Sequence, residues 1–196
     1  MGSLDSTRET ILAVAARKFA CGGFNGAQMA EIAREAGMGV GTLYKHFPSK
    51  EALFRAMVDR FLGGLFEATE RVIDDPPARL PEALEAYART AVQRVEADPL
   101  VCRAVAQETL GSRVAFRQVI GAEIWDRIEA HRARVAEFLA RRRDELAPGL
   151  GAEDAAVFFL GTLWTFVEHD LNHDRLDRLA GRPALVARCV WKGVSP

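Results

Sequence analysis

The chain has 196 residues, 49% of them hydrophobic and 27% charged, with a formal net charge of −1. That hydrophobic share is ample for a buried core, which excludes disorder over most of the length, and the near-neutral charge excludes broad coating of nucleic acid. No apolar run approaches the roughly 20 residues that span a bilayer, and the amino terminus is polar where a secretory signal would be apolar, so the expected location is the cytoplasm. Charge is nonetheless uneven. Residues 1–50 hold six Lys or Arg against four Asp or Glu, and Lys18, Lys45 and Lys50 are three of the four lysines in the chain. Local charge of this kind draws phosphate.

The first informative element is a short helix expected over residues 28–35, where Met29, Ile32, Ala33 and Ala36 recur at the three-and-four spacing of one apolar face. Gly37 follows where the chain must turn sharply and tolerates the positive φ that such a turn needs. A second short helix over 40–47 turns Leu43 and Phe47 inward and leaves Thr42, Tyr44, Lys45 and His46 outward or at its edges. Two short helices across a glycine turn make a helix-turn-helix, whose second helix fits the major groove of DNA. Pro48 ends it, Ser49 caps the next helix over 49–73, and Leu53, Phe54, Met57, Val58, Phe61, Leu62, Leu65 and Phe66 give that helix a broad apolar stripe.

Around this unit stand Thr7-Arg8-Glu9, Ile11-Leu12, Ala15-Ala16, Phe19 and Gly23-Phe24, then Ile32-Ala33, Ala36-Gly37, Gly41-Thr42-Leu43-Tyr44, His46-Phe47 and Ser49-Lys50-Glu51-Ala52-Leu53. In this order and spacing, roughly the first 55 residues resemble the amino-terminal domain of the TetR family of bacterial transcriptional regulators. The resemblance implies an all-α protein. Residues 1–48 would form a three-helix DNA-binding domain, and 49–196 a helical bundle for ligand binding and dimerisation. It further implies a homodimer on a palindromic operator, most often a repressor, released by a small molecule. Family members present the residues matching Thr42, Tyr44 and Lys45 to DNA, and a hydroxyl, a phenol and an ammonium suit phosphates or base edges. His46 and Lys50 are expected on phosphate, and Gln28 on either a phosphate or an adenine, since its amide both donates and accepts. Two departures affect this end: Ala27 stands where a capping Thr is common, and Gly39-Val40 where Ser-Lys is frequent, which removes one charge from the groove-facing end.

Asp74-Asp75-Pro76-Pro77 breaks the long helix, and Pro81 suits the first turn of another reaching about residue 96. Asp98-Pro99 opens a helix to about residue 110, stopping near Gly111-Ser112. One long helix is expected over 114–146, ended by Pro148-Gly149. Its Arg127, Arg132, Arg134, Arg141, Arg142 and Arg143 interleave with Glu123, Asp126, Glu129, Glu137, Asp144 and Glu145, which reads as a solvated salt-bridged face rather than a second nucleic-acid surface. Residues 151–172 form the most apolar helix, and 183–192 the last.

An effector pocket is expected inside the carboxy-terminal bundle. Its candidate lining is Met57, Phe61, Tyr87, Cys102, Gln107, Phe116, Trp125 and Phe166, aromatic walls with few polar groups that suit a lipophilic or aromatic molecule, although core packing accounts for each residue as well. For pairing with a second copy, Phe158 and Phe159 supply apolar area, and Gly161, Thr162 and Thr165 permit close approach. Cys21, Cys102 and Cys189 lack the spacing of a zinc or redox pair and read as reduced thiols. His169 and His173, at i and i+4, could hold zinc or nickel with a third ligand such as His131, Glu168 or Asp174, but a polar helix end explains them equally. No nucleophile, base and orienter set is visible, and Gly37-Met38-Gly39-Val40-Gly41 lacks the preceding strand of a nucleotide loop. The expectation is a regulator and not an enzyme, with no cofactor.

Overall fold

A computed structural model describes residues 2–111 and 113–194, and every regular element among them is helical. The helices are α1 (Gly2–Gly26), α2 (Met29–Glu35), α3 (Val40–His46), α4 (Lys50–Asp74), α5 (Leu80–Ala97), α6 (Pro99–Gly111), α7 (Arg113–Ile120), α8 (Ala122–Ala140), α9 (Ala152–Asn172) and α10 (Arg182–Val194). Short 3-10 turns cover Arg143–Glu145 and Leu176–Gly181. Ser112, part of the expected stop after α6, lies outside the described residues.

One boundary departs from expectation. The single helix over 114–146 is instead two, α7 and α8, broken at Gly121, whose φ of 83° is open to glycine and strained for other residues. Arg55 of α4 serves the carbonyls freed at the end of α7, its Nε donating to Val119 O at 2.6 Å and its Nη2 to Gln118 O at 3.2 Å. α8 then closes at Ala140, short of residue 146.

The chain divides into two compact units, Met1–Leu62 with Asp98–Trp125, and Gly63–Ala97 with Asp126–Pro196. In the first, α6 packs along α1, and Phe19, Phe24 and Phe54 form an aromatic knot with ring centroids 5.0 to 6.0 Å apart. Phe19 and Phe54 are fully buried, each contributing roughly 1.5–3 kcal/mol by removal from water. Lys18 and Arg17 of α1 both reach Glu35 of α2 at 3.0 Å, and these contacts, Lys18 foremost, hold the Glu35 carboxyl below its ordinary range.

In the second unit α10 packs on α5 and α9. Asp170 near the end of α9 is wholly buried and receives a two-pronged bond from Arg182 at the start of α10, at 2.5 and 2.6 Å. That pairing depresses the Asp170 carboxyl. Arg142 donates to Pro77 O at 2.7 Å, and Glu145 accepts from the Leu80 N–H at 2.9 Å, so the turn broken by Pro76 and Pro77 is tied down by side chains. The arginine-rich face is paired as its pattern predicts: Arg132 with Glu129, Arg134 with Asp74 and Glu137, and Arg142 with Glu145.

Candidate nucleic-acid interface

α2 ends in a glycine cap. Gly37 has φ 72°, the Met38 N–H returns to Ala33 O at 3.0 Å and the Gly37 N–H to Arg34 O at 3.2 Å, the paired bonds that close a helix on a left-handed residue. The chain leaves this cap at Met38 and enters α3 through Gly39, which has extended backbone geometry and no side chain to cap with. Leu43 and Phe47 of this segment are buried to 0% and 2% exposure, and they anchor one face of α3. At its far end Ser49 Oγ accepts from the Ala52 N–H at 3.1 Å and starts α4. The Glu51 carboxyl in that first turn is held below its usual range by its own backbone N–H and by the Ser49 hydroxyl.

With that face anchored, the opposite one carries Thr42, Tyr44 and Lys45, all exposed, Tyr44 to 47%. Val40 in the first turn is 41% exposed. His46 is half-buried at the last turn. Gln28 is the residue preceding α2, exposed, and its side chain makes no capping bond. The structure puts the cap position at Gln28 and not Ala27; Gln28 O accepts the first regular helical bond from Ile32 at 3.1 Å and also the otherwise free Glu31 N–H at 3.1 Å.

Lys50 has a different setting. Its Nζ donates to Asn25 O at 3.3 Å and Ala27 O at 3.2 Å and lies 4.7 Å from the centre of the Phe24 ring. It therefore ties the loop between α1 and α2 to α4, with one ammonium proton left over. Arg8, part of the family pattern but assigned no role there, stacks its guanidinium 4.5 Å from the centre of the Phe47 ring, beside the end of α3. Only the fold joins positions 8 and 47. The available signal was an arginine in the first turns of a helix preceding the motif.

The eight expected effector residues divide between the two units. Met57, Phe61, Cys102 and Phe116 are buried in the first unit and Tyr87 in the second. Gln107 is engaged with Ala20 O at 3.0 Å, Trp125 lies 5.3 Å from the Arg117 guanidinium, and Phe166 packs 4.7 Å from that of Arg182. A groove of about 580 Å³ runs past Ala133, Ala136 and Ala140 of α8 and Val157 of α9, and a smaller one of about 260 Å³ lies at Ile73 and Phe138. None of the eight lines either groove.

A polar cluster in the second unit was not anticipated as such. His131, 5% exposed, places Nε2 at 2.7 Å from the Tyr87 hydroxyl and 3.4 Å from Thr69 Oγ1, with Nδ1 3.3 Å from Glu70 Oε1, and its ring stacks on Phe66 at 4.1 Å. Burial lowers its pKa against the opposing pull of Glu70. The neutral ring with its proton on Nδ1 satisfies both partners, donating to Glu70 and accepting from Tyr87, whose own ionisation is pushed strongly upward by burial.

On α9, Phe159 turns inward, 1% exposed and edge-on to Tyr87 at 5.2 Å, so it belongs to the core of its own protomer. The outward apolar surface is Val157 and Phe158, 53% and 46% exposed, with Gly161 and Thr165 exposed along the same helix and Thr162 half-buried. His169 and His173 lie with rings 4.3 Å apart, but His173 Nδ1 sits on His169 O at 2.7 Å and the Arg175 guanidinium lies 3.3 Å from His169 Nε2. Among the described residues no three His, Cys, Asp or Glu side chains are grouped to hold a metal ion, and no helix is long and apolar enough to cross a membrane.

Residues 11–57 match the family model of bacterial regulatory proteins, tetR family. The nucleoid occlusion factor SlmA of Marinomonas sp. is 24% identical over 140 residues, covering 71% of this chain and 70% of that protein. The transcriptional repressor KstR2 of Mycobacterium tuberculosis is 35% identical over 95 residues, 48% of this chain and 47% of its own, and the transcriptional activator FasR of Mycolicibacterium smegmatis is 35% identical over 86 residues, 42% and 39%. These last two matches span less than half of either relative. Among solved structures, the regulator FadR of Bacillus subtilis in complex with stearoyl-CoA superposes with a TM-score of 0.80 at 21% identity, over 94% of this chain and 98% of that one. FadR of Bacillus halodurans does so with a TM-score of 0.82 at 20% identity, over 95% of each. At these identities the structural likeness is one of fold.

Proposed function

The chain belongs to the TetR family of bacterial regulatory proteins, and from that premise we propose that it is a cytoplasmic, ligand-responsive repressor that binds a palindromic operator as a homodimer. Residues 1–48 read the DNA, and 49–196 receive the effector and pair the protomers. The observation that carries the reading is α3: buried on Leu43 and Phe47, capped by glycine, and exposing Thr42, Tyr44 and Lys45 together. Those groups offer a hydroxyl, a phenol and an ammonium on the exposed side of the helix, as a groove-entering helix requires. His46, Lys50 and Arg8 serve as phosphate contacts, and Gln28 at the start of α2 meets either a phosphate or an adenine.

Pairing of two reading helices calls for an outward apolar face, and Val157, Phe158, Gly161 and Thr165 supply one on α9. Two-fold symmetry then sets half-sites about one DNA turn, roughly 34–36 Å, apart. The effector is lipophilic, and the stearoyl-CoA bound by the similar FadR fold supports a long acyl chain as its class. Activation is the second reading, favoured by the match to an activator.

The test is selection of fragmented genomic DNA by the purified protein at near-physiological salt, followed by sequencing. Enrichment of an inverted repeat supports the reading and names the target gene. Enrichment of nothing above input rejects it. On the enriched repeat, stearoyl-CoA and free stearate are then titrated: release by either supports the lipophilic class, and no release by either removes the acyl chain from it.

A further inference from the structure

α1 is interrupted three residues before its end. Gly23 has φ 66° and ψ 178°, outside helical geometry, so the bond that an unbroken helix would make between the Phe24 N–H and the Ala20 carbonyl is lost. Both orphaned groups are nevertheless satisfied, by adjacent side chains of α6. Gln107 Nε2 donates to Ala20 O at 3.0 Å, and Glu108 Oε1 accepts from the Phe24 N–H at 2.8 Å. The two side chains thus stand in for a single backbone bond from more than eighty residues away in the chain. Gly23 leaves the room for them: a Cβ there would come 3.3 Å from Glu108 Oε1 and 3.9 Å from Gln107 Oε1, in a backbone conformation strained for any other residue.

The clip acts where the reading elements begin. Phe24 stacks in the knot with Phe19 and Phe54, the next residues carry the carbonyls that Lys50 holds, and α2 starts at Met29. Fixing the direction in which the chain leaves α1 fixes the α2 and α3 pair. Charge sharpens the fit, since a carboxylate accepts from a backbone N–H more strongly than a neutral group does, and a carboxamide N–H suits the carbonyl that its neighbour could not serve.

We propose that Gln107 and Glu108 of α6 are positioning residues for DNA recognition, clamping the break in α1 and so fixing the direction in which the chain enters α2 and α3. This rests on the DNA-binding reading above. A movement of about 1 Å would take both bonds beyond hydrogen-bond range, so the clip is either engaged or released.

The experiment compares full-length wild type with Glu108→Leu, Glu108→Gln, Gln107→Leu and Gln107→Glu. Hydrogen exchange is followed at the Phe24 amide and across residues 24–46, with melting temperature and affinity for the selected operator measured on the same samples. Glu108→Gln keeps an acceptor and is expected to retain protection and operator affinity within about twofold. Glu108→Leu and Gln107→Glu are expected to speed exchange at Phe24 and through α2–α3 at least tenfold and to weaken the operator about tenfold, while nonspecific DNA affinity stays within twofold. Lowered melting temperatures with wild-type exchange over 24–46 and wild-type operator affinity would overturn the proposal and leave only a structural contact. So would a Glu108→Gln variant as defective as Glu108→Leu. If no DNA is bound by wild type, the DNA-binding reading fails by itself, and the exchange data still decide whether the clip orders residues 24–46.

Discussion

Tyr44 and Lys45 are neighbours on α3 with different work to do. An ammonium is a point charge for phosphate, so Lys45→Ala should weaken all DNA sequences about equally and lower the salt slope of binding by about one. A phenol or hydroxyl on a base edge discriminates, and Thr42→Ala or Tyr44→Phe should cost about 1–3 kcal/mol on the operator and much less on random DNA. Anisotropy titrations at two salt concentrations separate the two behaviours. Val40 stands where a lysine is frequent in the family, exposed and without donor or acceptor. Val40→Lys should therefore raise affinity for random DNA and increase the salt slope by about one. At this scale the outward groups of α3 were legible, because Leu43 and Phe47 define the inward face by spacing alone. The setting of Lys50 was not, since its carbonyl partners lie 23 and 25 residues earlier, at the end of α1 and just after it, where only the fold supplies the path.

Helices were legible wherever a stop was written in residue chemistry. Gly37, Pro48, Pro76-Pro77 and Pro99 all mark breaks close to where they occur. The break at Gly121 escaped because Ile120, Ile124 and Ile128 keep the helical spacing across it, and a positive φ leaves no trace in periodicity. Gly121→Ala should destabilise the protein by about 1–2 kcal/mol, read as a shifted denaturant midpoint at constant slope. His131 knots α4, α5 and α8 through Thr69, Glu70 and Tyr87, with Arg134 the nearby charge that further lowers its pKa. Because its folded pKa lies below the unfolded value of about 6.5, the unfolded chain takes up the proton first. Stability should thus be full above that value and decline as pH falls below it. His131→Gln should flatten the pH dependence of the denaturation midpoint between pH 7 and 5. Asp170 acts in a lower window: its depressed pKa means stability held above about pH 4 and lost as pH falls through the folded value, so Asp170→Asn should remove the acid-side decline due to Arg182 pairing.

For the whole molecule, the all-helical plan and the position of the reading motif followed from periodicity and from special-purpose residues. An effector site is not legible in the same way, because apolar residues have the same periodicity whether they face a cavity or one another. The proposed pairing face sits between these cases: the apolar excess of α9 was visible, but which of Phe158 and Phe159 faces out depends on Tyr87 meeting Phe159. Phe158→Glu places a charge on the outward face and should give a folded monomer by light scattering, with far-ultraviolet dichroism unchanged. A dimer persisting at micromolar concentration would place the interface elsewhere. Sequence-specific reading by α3 is the property on which the proposed function turns. It is tested most directly by titrating the wild-type protein at physiological salt against the selected inverted repeat and against a scrambled duplex of equal length and composition. A preference of at least about 10³ for the repeat is expected. Equal affinity for the two duplexes would contradict it.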